Sequence, residues 1–382
     1  MAYGTVSADV IQSSVTGVSL GAGNATRFKS RIINGNMVID QRNAGASLTI
    51  TNTSANTYTL DRWYAYGAVA SKFSVQQNAG SVTPPVGFIN YLGVTSLAAT
   101  TLAATDQYAL GQYIEGLNFA DLGFGTASAK TVTLSFQVYS SLTGTFGGAF
   151  RNSALNRCYP FSYTISSANT WTSISITIAG DTTGTWLTTN GIGANVVFGL
   201  GIGTTYSGTA GAWSSSTYTS ATGATSVVGT SGATFYITGV QLEVGSFATG
   251  FEYVDYGTQL VMCQRYCYQI NSDNSGNGGG TGLIGVGTGG TSGGLSRAQT
   301  SIPTMRTSPT LTLSNISTNG TDLRAWNGGS VANITGLVSG YSTPNALQFD
   351  GNVASSYTIG NVISVLWQNS INGGYIRLTA EL

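Results

Sequence analysis

The segment Gly290 to Gly294, GTSGG, has the G-x-S-x-G spacing of a nucleophile elbow, in which a serine on a tight turn is activated by a histidine base. The chain contains no histidine, so this serine has no such base and the match is a chance product of a glycine-rich run. The same absence removes the commonest zinc and iron ligand, and Cys263 with Cys267 lacks the second ligand pair that a metal–thiolate site needs. Gly199 to Gly203, GLGIG, follows no strand–helix–strand pattern, and no Gly-Lys-Ser/Thr triplet occurs anywhere, so it is a strand edge or turn and not a phosphate loop. No cofactor and no metal are expected.

Glycoside hydrolysis is the chemistry hardest to exclude, because it needs only two carboxylates on either side of a sugar. The chain offers 14 acidic residues, of which Asp61, Glu243, Glu252 and Asp255 are the candidates for a spatial pair. Sugar binding without catalysis needs flat aromatic faces on loops, with amide, hydroxyl or charged groups beside them. Trp213 and Tyr218 lie in the polar stretch GAWSSSTYTS, and Arg324, Trp326 and Asn327 lie in DLRAWNGG. These five are the candidate ligand-binding residues. Trp63 and Trp171 flank strand-like patterns, where core packing is expected of them.

These residues must be held by elements that the composition constrains. Charged residues make up only 7% of the 382, against roughly 25% in an average soluble protein. Serine, threonine, asparagine and 53 glycines take their place, and they favour turns and pleated surfaces over helices. With 14 basic and 14 acidic side chains the formal charge is zero, so no field gathers phosphates, and nucleic acid is not an expected partner. Low charge also removes the repulsion between copies and points to burial in an oligomer or larger assembly. Three cysteines, an odd number, are expected to be buried thiols. No run approaches 18 apolar residues and the opening MAYGTVSADV has no export-signal pattern, so synthesis in the cytoplasm without membrane insertion is expected.

Residues 1–27 lack a core-sized apolar cluster and are expected to form a docking arm. From 28 to 256 short strand patterns recur in a β-sandwich-sized unit, and 257–382 form a second, smaller β unit. Thr131 to Val138 and Ser173 to Ile178 alternate apolar and polar residues as half-buried strands do, whereas Asn195 to Leu200 is apolar enough for a central strand. The apolar phase slips by one residue at Gly239, which predicts a bulge. Leu260 to Ile270 is the one helix expected, as a connector, and Gly276 to Gly294 is expected to be a loop. Thr310 to Leu313, Val362 to Trp367 and Tyr375 to Leu382 are further strands.

Three sets of segments carry a resemblance: RIINGNMVIDQRNAG with YTLDRWYAYG, FYITGVQLEVGSFATGFEY leading into CQRYCYQ, and SIPTMRTSPTLTLSN with the terminal GYIRLTAEL. In this order the chain, from Arg31 to Leu382, resembles bacteriophage tail-fibre and virion-associated proteins with a jelly-roll similar to a carbohydrate-binding module. The resemblance implies an all-β fold, a jelly-roll β-sandwich followed by a smaller distal β domain. It also implies a homotrimer whose distal end meets the host, docked on other virion tail proteins through the N-terminal arm. The function expected is that of a non-enzymatic structural and adhesive part of the phage tail that binds a host surface glycan or other receptor. The alternatives are a capsid decoration or tail-associated protein without receptor binding, and a glycan-binding module or glycosidase.

Overall fold

The computed structural model describes residues 28–271, 283–288, 295–314, 319–326, 331–339, 342–353, 362–367 and 374–382. The expected arm at 1–27, the Gly290–Gly294 segment and Asn327 lie outside these residues. The chain divides into two compact units, the first running to Gln259 and the second Leu260–Glu381.

The first unit is built from β1 (Leu48–Thr49), β2 (Thr57–Tyr58), β3 (Tyr64–Gly67), β4 (Phe73–Gln77), β5 (Leu92–Ser96), β6 (Gln107–Glu115) and β7 (Val132–Ser140). It continues with β8 (Gly144–Arg151), β9 (Cys158–Ile165), β10 (Thr172–Ile178), β11 (Ile192–Ile202), the short β12 (Ser207–Gly208) and β13 (Ser220–Ala221), and β14 (Thr234–Val244). Two six-stranded sheets result, with orders β1-β4-β5-β14-β7-β10 and β2-β3-β6-β11-β8-β9. Eight strands pair antiparallel in a nested series, β8 with β9, β7 with β10, β6 with β11 and β5 with β14. The pairs β14–β7 and β11–β8 then lock the series into two sheets. That is the wiring of a double Greek key, a jelly-roll.

Alternation decides which side of each strand meets the other sheet. Leu134, Phe136 and Val138 of β7 point into the shared core, against Phe150, Phe161 and Phe198 of the opposite sheet, while Ser135 and Gln137 point out. On β10, Ile174 and Ile176 are half-buried and Ser173, Ser175 and Thr177 exposed, as the sequence pattern predicts for a strand at a sheet edge. β11 is buried nearly throughout, in keeping with its central place.

The predicted bulge is present: the β14–β7 register shifts between Thr238 and Gln241, and Gly239 has φ +62°. The chain before β1 docks on this irregularity. Val240 N–H donates to Gly35 O at 2.9 Å, and Arg31 N–H donates to Leu242 O at 2.8 Å. A Cβ at Gly35 would lie 2.0 Å from Val240 O, so no other residue fits there without moving backbone. Asn34 completes the joint, donating from Nδ2 to Ile39 O and Asp61 O and accepting from Ile39 N–H, while Trp63 Nε1 donates to Asn34 O.

The second unit contains β15 (Cys267–Asn271), β16 (Leu283–Thr288), β17 (Leu295–Ser301), β18 (Thr310–Ser314), β19 (Asn319–Trp326), β20 (Val331–Ser339), β21 (Ala346–Val353), β22 (Val362–Trp367) and β23 (Tyr375–Thr379). Six of these close a barrel in the order β16-β17-β21-β20-β19-β22, and β15-β23-β18 form a separate sheet. Closure leaves the barrel no free edge to recruit stray strands. Two expectations are corrected here. The helix α1 is Tyr256–Gln264, and the last part of the expected helix is strand β15, because Cys267 to Asn271 pair with Thr379 to Tyr375 of β23. Within the glycine-rich run, Leu283–Thr288 is a barrel strand, held between β17 and β22.

Replacing Gly35 with alanine is expected to destabilise the first unit by about 2–3 kcal/mol, the range for a methyl forced into a packed site. Urea unfolding followed by tryptophan fluorescence measures the change.

Candidate functional site

The candidate residues named from sequence fall into separate settings. Trp213 is half-buried, and its ring meets Phe124, Phe150, Tyr159 and Trp186 at 66°, 65° or steeper, while Nε1 donates to Ala179 O at 2.8 Å. Arg157 stands 5.8 Å from the ring centre and forms a two-point ion pair with Asp181 at 2.6 and 2.8 Å. Tyr218 is also half-buried, its ring lying over Gly208, where a Cβ would come within 2.3 Å of it. In the barrel, Leu323 and Ala325 of β19 point inward, which places Arg324 and Trp326 together on the outer face, with Trp326 44% exposed.

A cleft that sequence reading missed lies on the outer face of the sheet that contains β14, β7 and β10, with a volume of about 360 Å³. Its floor is the outward row of the alternating strands: Ser135 and Gln137 from β7, Ser173 and Ser175 from β10. Gln137 and Ser173 are register partners and bond reciprocally, Nε2 to Oγ at 2.8 Å and Oγ to Oε1 at 3.0 Å. Phe88, Phe251 and Tyr253 form the aromatic part of the lining, packed at centroid distances of 5.1, 5.8 and 5.1 Å. Gly239 lets this group approach the sheet, since a Cβ there would meet the Phe88 ring at 2.6 Å. Tyr253 is 59% exposed. Open aromatic surface beside hydroxyl and amide groups can stack on the C–H face of a sugar ring and bond its hydroxyls.

The outer face of the other sheet is filled by its own side chains. Arg151 is 5% exposed and donates to Asn195 Oδ1 and Thr219 Oγ1, while Asn195 Nδ2 donates to Tyr64 OH. Small residues Ala109, Ala149 and Val197 are fully covered beside this network.

The candidate carboxylates are engaged as structural acceptors. Glu243 accepts from Gln241 Nε2, Thr249 N–H and Thr249 Oγ1, with Lys29 Nζ 3.7 Å away. Glu252 accepts from the N–H groups of Phe28 and Ser30, and Asp61 from the N–H and Nε2 of Gln41. Asp255 caps α1 by accepting from Thr258, and the Thr258 hydroxyl and N–H hold its carboxyl below the usual range. No pair of them flanks the aromatic cleft, whose lining contains no carboxylate.

No model of a known protein family matches the chain, and no curated protein matches it. Among solved structures, the enzymatically active domain of tailspike protein 4 from Bacteriophage CBA120 is similar over 57% of this chain, with 11% identity and a TM-score of 0.29. This chain spans 22% of that domain's length. A family 11 carbohydrate-binding module from Clostridium thermocellum, in complex with a β-1,3-1,4-mixed-linked tetrasaccharide, is similar over 53% of this chain and 98% of its own, at 12% identity and a TM-score of 0.26. The CBM22-1 xylan-binding domain of Paenibacillus barcinonensis Xyn10C is similar over 54% and 99%, at 11% identity and a TM-score of 0.23. At scores this low the jelly-roll assignment rests on the strand order and nested pairing themselves.

Burial works to raise the Asp181 carboxyl, but the Arg157 guanidinium and the Thr183 donors outweigh it and hold the group below its usual range. A depressed pKa gives stability that is present above the unfolded-state value, near 4, and is lost as pH falls through the lower folded value. Asp181→Asn is therefore expected to cost about 1–3 kcal/mol at neutral pH. In urea unfolding the gap from the native protein should narrow as the pH falls below the unfolded-state value, near 4, and toward the lower folded value.

Proposed function

We propose that this chain is a non-enzymatic adhesive component of a bacteriophage tail that binds a surface glycan through the cleft between Phe88, Phe251, Tyr253 and the β7–β10 floor. The observation that carries the reading is the pairing of partly open aromatic rings with a row of serine and glutamine groups on a rigid sheet. Floor residues on paired strands lose little freedom when they bind, which favours a preformed site. Engagement of Glu243, Glu252, Asp61 and Asp255 as structural acceptors supports binding over hydrolysis. The phage assignment draws on the three sets of segments that resemble tail-fibre and virion-associated proteins.

A single shallow site of this kind binds weakly, and three copies in a homotrimer would raise the strength through effective concentration. Light scattering on the purified protein should give the mass of three 39.3 kDa chains, about 118 kDa. A value near one chain would remove the trimer from the proposal.

Tyr253→Ala is expected to weaken glycan binding about tenfold, the effect of losing roughly 1–1.5 kcal/mol of ring stacking. Its melting temperature should stay near that of the native protein, since the side chain is largely exposed. A glycan array to find the ligand, followed by calorimetry on both proteins, makes the test. Unchanged affinity would place the site elsewhere.

A further inference from the structure

The described residues that line the cleft carry no charge. Its aromatic groups are Phe88, Phe251 and Tyr253, and its polar side-chain groups are the hydroxyls of the serines, Thr249 and Tyr253 and the amide of Gln137. Among the described residues, no lysine, arginine, aspartate or glutamate lines it. The nearest charges among the described residues belong to the joint behind the 246–253 turn, and they are already engaged. Lys29 Nζ donates to Thr249 Oγ1 and Gly250 O and lies beside Glu243, and Glu252 is turned toward the backbone of Phe28 and Ser30.

Resting on the glycan reading above, we infer that the cleft selects uncharged sugars and rejects those bearing a carboxylate. A carboxylate that enters must give up part of its hydration, and the cost is recovered only where a cation or several N–H donors replace the water. The described lining supplies no cation, and Lys29 behind Thr249 is already paired with Glu243, so no uncompensated positive charge faces the incoming group. Neutral hydroxyls meet the opposite situation. The reciprocal Gln137–Ser173 pair leaves one amide N–H and oxygen lone pairs free, and serine hydroxyls rotate to donate or accept, matching groups that can also do both. The volume, about 360 Å³, is at the low end of the ~300–1,000 Å³ typical of small-molecule sites, which suits a short stretch of sugar chain.

The test uses the full chain and one polymer in two forms, polygalacturonate as the free acid and as its fully methyl-esterified, uncharged counterpart, by calorimetry at low and physiological salt. The ester should bind at least tenfold tighter than the acid, with an affinity insensitive to salt. Gln137→Lys, which adds a cation at the exposed floor, should recover binding of the acid in a salt-dependent way. Equal or tighter binding of the free acid to the native protein, lost in Tyr253→Ala, would overturn the selectivity while leaving the glycan site standing. If neither this pair nor any neutral glycan on an array binds, both readings fall together.

Discussion

The closing of the roll at Val240 is the constraint on which the rest depends. β14 is the last strand of the first unit and must fill the slot between β5 and β7, which lie far earlier in the chain, at Leu92–Ser96 and Val132–Ser140. It pairs with both from its first residues and continues along β7 to Val244 by inserting one extra residue at Gly239, and the irregularity so created is where Gly35 and Arg31 bond. Asn34, at the same joint, ties Ile39, the Asp61 carbonyl and Trp63 together, so the segment before β1 works as a plug on the finished sandwich. The same bulge makes space for Phe88 and leaves the 246–253 turn to fold back beside it. The cleft is thus a by-product of how the jelly-roll closes.

Stability in a chain this poor in charge comes from the shared core. Aromatic rings from both sheets interlock, with Phe136 at 5.1 Å from both Tyr163 and Phe198 and Phe119 stacked on Trp186 at 5.5 Å. Such contacts each contribute about 0.5–1.5 kcal/mol beyond the area they bury. The few charges are placed where they fasten segments: Arg157 with Asp181 beneath Trp213, Lys29 beside Glu243, and Arg31 with Asp121. Nested pairing of distant strands makes most contacts non-local, which gives a slow-folding topology with a rigid product.

The alternation of β7 and β10, the central character of β11 and the slip at Gly239 were legible because a period of two reports directly which face is buried. The helix boundary was not. Cys263 and Cys267 satisfy a helical spacing, but β23 offers Cys267 to Asn271 a full set of backbone partners, and Asp255 starts the helix earlier. Leu283–Thr288 hides in a glycine-rich run because its burial depends on neighbours far along the chain. The cleft was invisible for the same reason: Phe88, Gln137, Ser173 and Tyr253 come from four segments that only the fold assembles. Of the residues singled out from sequence, Arg324 and Trp326 share one outer face of the barrel, while the Trp213 ring caps the sandwich core.

Binding without cleavage is the central claim, and one experiment reports on both halves. The protein would be incubated with each of a panel of neutral polysaccharides and passed over a size-exclusion column with light-scattering detection, at once and after a day. The account predicts that polysaccharide elutes with the protein at both times and that its chain length does not change. Shortened chains would make the protein a hydrolase, and polysaccharide that never travels with it would contradict the glycan site.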